Sequence, residues 1–226
     1  MLPSFKIWGE IIYLYPFLLG IAWVLAFKIS HSLNIEVKKL NGLLFALFVS
    51  SWLGAKLFFI ITSEYIDKTK FLTSSNFWLG GGFVFYGGLI FGLIALIIFS
   101  KLTDQNLKRF YFLVIPLTLS HGIGRVGCFL AGCCHGSFFL PVQLLEATGL
   151  FTISFIAYRK FLRSNRLLPF YLICYSVLRF ILEYIRNDEI RGVYLGLSTS
   201  QIISLVLLTI GIIVSYRDRA SRMTHN

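Results

Sequence analysis

The residues best equipped for chemistry lie together in Ser120 to Gly136, SHGIGRVGCFLAGCCHG, a stretch holding one arginine, two histidines, three cysteines and five glycines. Gly122, Gly124, Gly127, Gly132 and Gly136 let a backbone bend and come close to a ligand, with Arg125 among them. The N–H groups of such a turn point into a concavity that suits an anion, and a guanidinium grips phosphate through parallel hydrogen bonds. A tight turn between helices with a snorkelling arginine fits the same residues. Gly122, Gly124 and Gly127 also spell G-x-G-x-x-G, but the dinucleotide fingerprint needs a strand before it and a helix after it in a βαβ unit. Here an apolar span precedes it.

Other ionisable groups fall within or at the ends of apolar runs: Lys56, Glu146, Arg179, Glu183 and Arg186. Such groups cost free energy in a membrane unless paired or wet, so each is a functional candidate. Arg179, Glu183 and Arg186 are spaced by four and by three, which places them on one helical face, where an intrahelical ion pair also accounts for them. With Arg125 the chain would hold two or three guanidinium groups against few internal acids, a balance that an external anion completes. In GGGFVFYGGLIFG, Gly80 to Gly92, the glycines suit close helix packing, and Tyr86 among them would have room around its hydroxyl for a ligand.

The elements that must position these groups follow from composition. A chain of 226 residues that is 57% hydrophobic, 17% aromatic and 14% charged reads as an integral membrane protein, an all-α bundle in a single domain over residues 1–226. Seven apolar stretches are predicted as spans, roughly 11–29, 43–62, 83–100, 110–122, 142–158, 168–185 and 198–216. The fourth and fifth are short, which predicts irregular glycine-rich backbone from Ser120 to Pro141 near the outer face, buried by protein or lining a wet cavity.

Ile11 to Phe27 reads as a retained first span, because Glu10 interrupts the basic flank of a signal and no small-x-small site follows. Lys28, Lys38 and Lys39 follow the first span; Lys101, Lys108 and Arg109 the third; Arg159, Lys160, Arg163 and Arg166 the fifth; Arg217, Arg219 and Arg222 the last. The positive-inside rule then puts the N-terminus outside and the C-terminus in the cytoplasm. It also explains the net charge of +11 without nucleic acid, through orientation and contact with anionic membrane lipid. No internal repeat supports an inverted-repeat transporter.

The ordered set GGFVFYGGLIFG, GRVGCFLAGCCHG, P-V-Q-L-L-E, R-x-x-x-E-x-x-R and S-x-x-Q resembles the prolipoprotein diacylglyceryl transferase family from about Tyr13 to Ile213. The resemblance implies a seven-span bundle in the bacterial cytoplasmic membrane. It implies transfer of the diacylglyceryl group of phosphatidylglycerol to the lipobox cysteine of a secreted prolipoprotein, with no cofactor and no metal. Gly124, Arg125, Gly127, Phe129, Gly132 and Gly136 fall on the family's G-R-x-G-N-F-x-N-x-E-x-x-G signature, where the arginine serves the phosphate. Pro141, Gln143 and Glu146 match its H-P-S-Q-L-x-E segment, Arg179 and Glu183 its R-x-x-x-E pair, and Gln201 its last motif. Arg125, Tyr86, Arg179, Glu183 and Glu146 are thereby the catalytic candidates, and Gly124, Gly127, Gly136, Gln143 and Gln201 the substrate-binding ones. Displacement at a glycerol carbon makes a phosphate leaving group, whose charge cations stabilise.

This chain departs from the pattern where the chemistry is densest. Tyr86 stands at the histidine of the S-F-H-G-G motif, Cys128 and Ala131 at the two asparagines, Cys133 at the glutamate and Leu140 at the histidine before Pro141. A phenol with a reference pKa of about 10 is a poorer base than an imidazole near about 6.5, and His121 and His135 are the available replacements. Cys128, Cys133, Cys134 and His135 admit several readings: a disulfide between Cys128 and Cys133, a nucleophilic thiolate near Arg125, inert packing, or a metal set that lacks the paired spacing zinc favours. The function expected is therefore the family transfer. Its alternatives are a divergent member with another acceptor or donor, a thiol redox or metal-handling membrane protein, and a lipid-binding subunit without turnover.

Overall fold

The computed structural model describes residues 4–7, 10–33, 37–62, 77–78, 82–132, 141–162, 166–186, 193–194 and 196–223. Among them seven helices follow one another: α1 (Leu14–Ser32), α2 (Leu40–Thr62), α3 (Phe85–Leu102), α4 (Val114–Leu130), α5 (Val142–Phe161), α6 (Leu167–Glu183) and α7 (Thr199–Met223). A 3-10 turn, Leu107–Leu113, leads into α4. Five stretches among the described residues are long and apolar enough to cross a membrane: Leu14–Ser32, Leu40–Ile61, Phe85–Leu102, Leu107–Leu130 and Ser200–Asp218. The chain is an α-helical membrane protein, with side chains such as Phe45, Ile61, Phe155 and Ile213 exposed on its outside. Two helices lie outside the apolar set. α6 has 17 residues and α5 carries Gln143, Glu146, Arg159 and Lys160, and these same helices bear Glu146, Arg179 and Glu183.

Two short antiparallel hairpins complete the described elements. β1 (Ser4–Ile7) pairs with β2 (Glu10–Tyr13), from Ser4 opposite Tyr13 to Ile7 opposite Glu10, and β3 (Val193–Tyr194) pairs with β4 (Leu197–Ser198). The first helix therefore starts at Leu14 rather than at Ile11, because Ile11, Ile12 and Tyr13 are spent on a strand, where β-branched and aromatic residues fit well.

The larger correction concerns the glycine-rich stretch. Ser120 to Leu130 is regular helix, not irregular backbone, so the fourth span runs well past Gly122. A membrane leaves no water to satisfy open backbone groups, and this outweighs the weak helix propensity of glycine. The glycines serve packing instead: a Cβ on Gly122 would lie 2.5 Å from the Phe151 ring, so α5 comes close to α4 there. The helix ends at Leu130, and just beyond it Gly132 takes a positive φ of 63° and its N–H donates to Phe129 O at 3.0 Å.

The described residues gather into two compact units, one of Leu18–Leu33 with Tyr111–Asn226 and the other of Ser4–Phe17 with Asn34–Phe110. In the first, α4 packs on α5, α5 on α6 and α6 on α7. Hydroxyls tie neighbours together: Ser154 donates to Ile115 O and Ser120 to Ala22 O, both at 3.0 Å. In the second, α2 and α3 meet backbone to backbone. A Cβ on Gly54 would collide with Gly87 O and Phe91, and one on Gly87 with Gly54 O and Phe58. Gly88 and Gly92 lie over Ser51 in the same contact.

Candidate active site

The first unit is apolar outside and polar within. Its interior buries Gln143, Glu146, Ser176, Arg179, Ser200, Gln201 and Ser204, contributed by three consecutive helices. Glu146 sits in the second turn of α5, Arg179 and Glu183 in the last turns of α6, and Arg125 in the last two turns of α4. These four side chains meet in one cluster.

One carboxylate oxygen joins the two arginines. Glu146 Oε2 lies 3.0 Å from Arg125 Nε and 3.6 Å from Arg179 Nη1. Arg179 also reaches Glu183 Oε2 at 2.8 Å through Nη2, which donates to the Ser200 hydroxyl at 3.0 Å. Arg179 and Glu146 are 3% and 1% exposed at their side chains, whereas Arg125 keeps 14%, so Arg125 is the member of the pair open to an approaching ligand. Buried ions persist only when paired and hydrogen-bonded. Here two guanidinium groups face two carboxylates, so the cluster is internally neutral. The expected shortage of internal acids is corrected accordingly: Glu146 and Glu183 balance Arg125 and Arg179 before any external anion arrives.

Ser198 and Gln201 supply the next layer. Ser198 Oγ accepts from Gln201 N–H at 3.2 Å, and Gln201 Oε1 accepts from Ser198 N–H at 2.9 Å. This reciprocal pair is a capping box that starts α7, and the S-x-x-Q spacing is its sequence signal. Sequence reasoning placed Gln201 in the site without seeing that role, and it missed Ser200 altogether. A lone serine at a helix start carries no signal that it will face an arginine from the preceding helix.

The remaining candidates divide as follows. Gly124 and Gly127 lie on α4 on either side of Arg125, Gln143 is buried in the first turn of α5, and Cys128 is half-buried three residues beyond Arg125. Cys133, Cys134, His135 and Gly136 lie outside the described residues, and with them the question of a disulfide to Cys128. His121, one turn before Arg125, is buried with its ring edge on Tyr175.

Tyr86 belongs to the second unit. It is half-buried in the first turn of α3, next to Phe85 at 5.8 Å between ring centres, and the glycines that follow it pack on α2. Lys56, also in this unit, is 1% exposed. Its ammonium donates to Phe77 O and sits 4.5 Å from the Phe77 ring centre and 3.9 Å from that of Phe83.

Comparison with known proteins points in one direction. The family model described as prolipoprotein diacylglyceryl transferase matches residues 4–217. The chain is similar to the phosphatidylglycerol–prolipoprotein diacylglyceryl transferase of Clostridium tetani, 36% identical over 193 residues, which cover 74% of this chain and 76% of that protein. It is also similar to a second protein of that name, numbered 2, from Clostridium perfringens, 32% identical over a 240-residue alignment covering 92% of each. A third such relative, from Streptococcus uberis, is 31% identical over 188 residues and 71% of each chain.

Proposed function

The chain belongs to the prolipoprotein diacylglyceryl transferase family, and from that premise we propose that it transfers the diacylglyceryl group of phosphatidylglycerol to the lipobox cysteine of a secreted prolipoprotein. The observation that carries the reading is the Glu146 carboxylate held between Arg125 and Arg179. Two guanidinium groups converge within the bundle, one of them partly exposed, at the residues where the family serves the lipid phosphate.

In the transfer, the thiol gives up its proton, its sulfur bonds to the glycerol carbon of the diacylglyceryl group, and the bond from that carbon to the phosphate ester oxygen breaks, with the proton balancing the charge of the departing phosphate. The electron pair leaves on the phosphate oxygen as glycerol phosphate. Negative charge grows on that oxygen in the transition state, and preorganised cations in a dry site stabilise it strongly. Arg125 meets the phosphate first, Arg179 supports it from beneath, and Glu146 and Glu183 hold the two guanidinium planes in place. Gly124, Gly127, Gly136, Gln143 and Gln201 complete the lipid site in this reading. Tyr86 takes the place of the family histidine by sequence correspondence, and Cys128 with Cys133, Cys134 and His135 offers further thiols near the signature.

The same reading gives the chain seven spans in the bacterial cytoplasmic membrane as one bundle. The N-terminus is outside and the C-terminus in the cytoplasm, supported by the basic residues after alternate spans. The reacting end then faces outward, where secreted precursors emerge.

The test is reconstitution of the purified chain with phosphatidylglycerol and a lipobox peptide, read by mass spectrometry. A diacylglyceryl adduct on the peptide that vanishes with Arg125→Ala and persists with Cys128→Ser is the expected result. Bound lipid without adduct would reject the lipobox acceptor and direct attention to the substitution at Tyr86.

A further inference from the structure

The helix faces that carry the arginines continue with a second set of polar side chains. On α4, His121 stands four residues before Arg125; on α6, Tyr175 and Tyr171 stand four and eight residues before Arg179. Residues four apart share a helix face, so both faces run from the arginines toward mid-helix. Tyr175 is the middle residue of α6, while Arg179 and Glu183 occupy its last turns. His121 is likewise nearer the middle of the apolar stretch Leu107–Leu130 than Arg125 is. The depth order holds whichever way the chain is oriented.

These residues form a compact aromatic group. The His121 ring meets the Tyr175 ring edge-on at 5.4 Å, and Tyr175 stacks on Tyr171 at 5.6 Å with planes 8° apart. His121, Tyr171 and Tyr175 are 9%, 6% and 7% exposed. Neutral imidazole and phenol are hydrogen-bond donors, and an ionisable group such as His121 within a membrane span is a functional candidate by default.

We propose that His121 and Tyr175 form a second layer of the lipid site, hydrogen-bonding the ester carbonyls of a diacyl glycerophospholipid whose phosphate is held by Arg125 and Arg179. The inference rests on the phosphate reading given above. Four residues of α-helix advance about 6 Å, and the few bonds between a phosphate and the ester groups of a glycerolipid span a similar distance. An ester carbonyl is an acceptor matched to these two donors, and the Tyr171–Tyr175 stack gives the first acyl carbons a flat apolar wall. The layer selects the donor by its linkage: an ether lipid presents a methylene where the ester presents a carbonyl, and it loses both hydrogen bonds.

Competition between diester phosphatidylglycerol and its dialkyl ether analogue tests this, with binding to the purified full-length protein read by native mass spectrometry. The unsubstituted protein should prefer the diester by about tenfold, as expected for two ordinary hydrogen bonds. His121→Leu combined with Tyr175→Phe should bring the diester down to the level of the ether lipid. Arg125→Ala should weaken both lipids while keeping the preference. Equal binding of the two lipids by the unsubstituted protein overturns the inference alone, and so does an undiminished preference in the double variant. Binding of neither lipid overturns the phosphate reading and this inference with it. The comparison of lipids on the unsubstituted protein stands even if the double variant fails to fold.

Discussion

The Ser198 hydroxyl donates to Glu183 Oε1 at 2.9 Å, so the residue that opens the last helix also fixes the carboxylate that closes the helix before it. Ser198 thereby connects a folding device to the ion cluster. The same oxygen accepts from Gln201 N–H, and Glu183 in turn faces Arg179 at 2.8 Å. Local helix chemistry at residue 198 reaches the guanidinium groups in two steps.

Ser198→Ala should cost about 1 kcal/mol of stability, the usual price of an N-cap. It should also lower transfer several-fold by releasing Glu183. Ser198→Thr keeps a hydroxyl and should restore both quantities. Thermal unfolding in detergent and turnover on a lipobox peptide measure them, and a stability loss with unchanged turnover would disconnect the cap from the site.

Glu146→Gln keeps the shape and removes the charge that both arginines share. Breaking a buried ion pair from one side costs about 3–5 kcal/mol, because the partners are left uncompensated. The variant should unfold at a markedly lower temperature, and added phosphatidylglycerol should recover part of the loss by supplying a substitute anion. A melting point unmoved by the substitution would show that the cluster carries little of the energy assigned to it.

The two arginines should separate by phenotype. Arg125 is the more exposed and touches Glu146 through Nε, whereas Arg179 is buried against Glu146, Glu183 and Ser200. Arg125→Lys should leave the melting temperature nearly unchanged and reduce turnover about 100-fold or more, since an ammonium lacks the planar fork that meets a phosphate. Arg179→Lys should reduce both. Equal stability losses in the two variants would contradict their assigned places.

Tyr86→Phe removes one oxygen. If the phenol serves the reaction at the position of the family histidine, turnover should fall about 100-fold with no change in lipid binding, a loss of the size expected for an acid–base group. Tyr86→His should keep activity or raise it. Full activity in the phenylalanine variant would remove Tyr86 from the chemistry.

Gly54→Ala should destabilise the protein by about 1–3 kcal/mol, the range for overpacking. Gly20, on α1, has no atom within 4 Å of where its Cβ would be. Gly20→Ala should therefore be neutral or stabilising by up to about 1 kcal/mol through helix propensity. Comparable losses at both positions would mean that helix contact is not what sets the cost.

The helices and the principal charged residues were legible because membrane length and buried charge are strong signals. Arg125, Glu146, Arg179 and Glu183 stood out as ions in apolar runs, and the structure brings these four together. The conformation of Ser120–Leu130 was misread because glycine frequency was weighed as turn chemistry, whereas inside a membrane the backbone must close its own hydrogen bonds. Ser200, and the bond from Ser198 to Glu183, were hidden for another reason: their value comes from a neighbouring helix, and no spacing along the chain reports it. The role of Lys56 was equally invisible, since its carbonyl and ring partners come from residues 77 and 83, well beyond the end of its own helix.

The contact between Gly54 and Gly87 has a consequence for how this sequence can change. Each glycine leaves empty the volume that the other's carbonyl oxygen fills, so no larger residue is available at either position while the helices stay in place. Position 54 cannot drift, and neither can position 87, and altering both at once makes the crowding worse. Two residues with no side chains act together as a gauge block between α2 and α3. Tyr86 directly precedes Gly87, so its backbone is held beside that block, by the part of the chain with the least chemistry to offer.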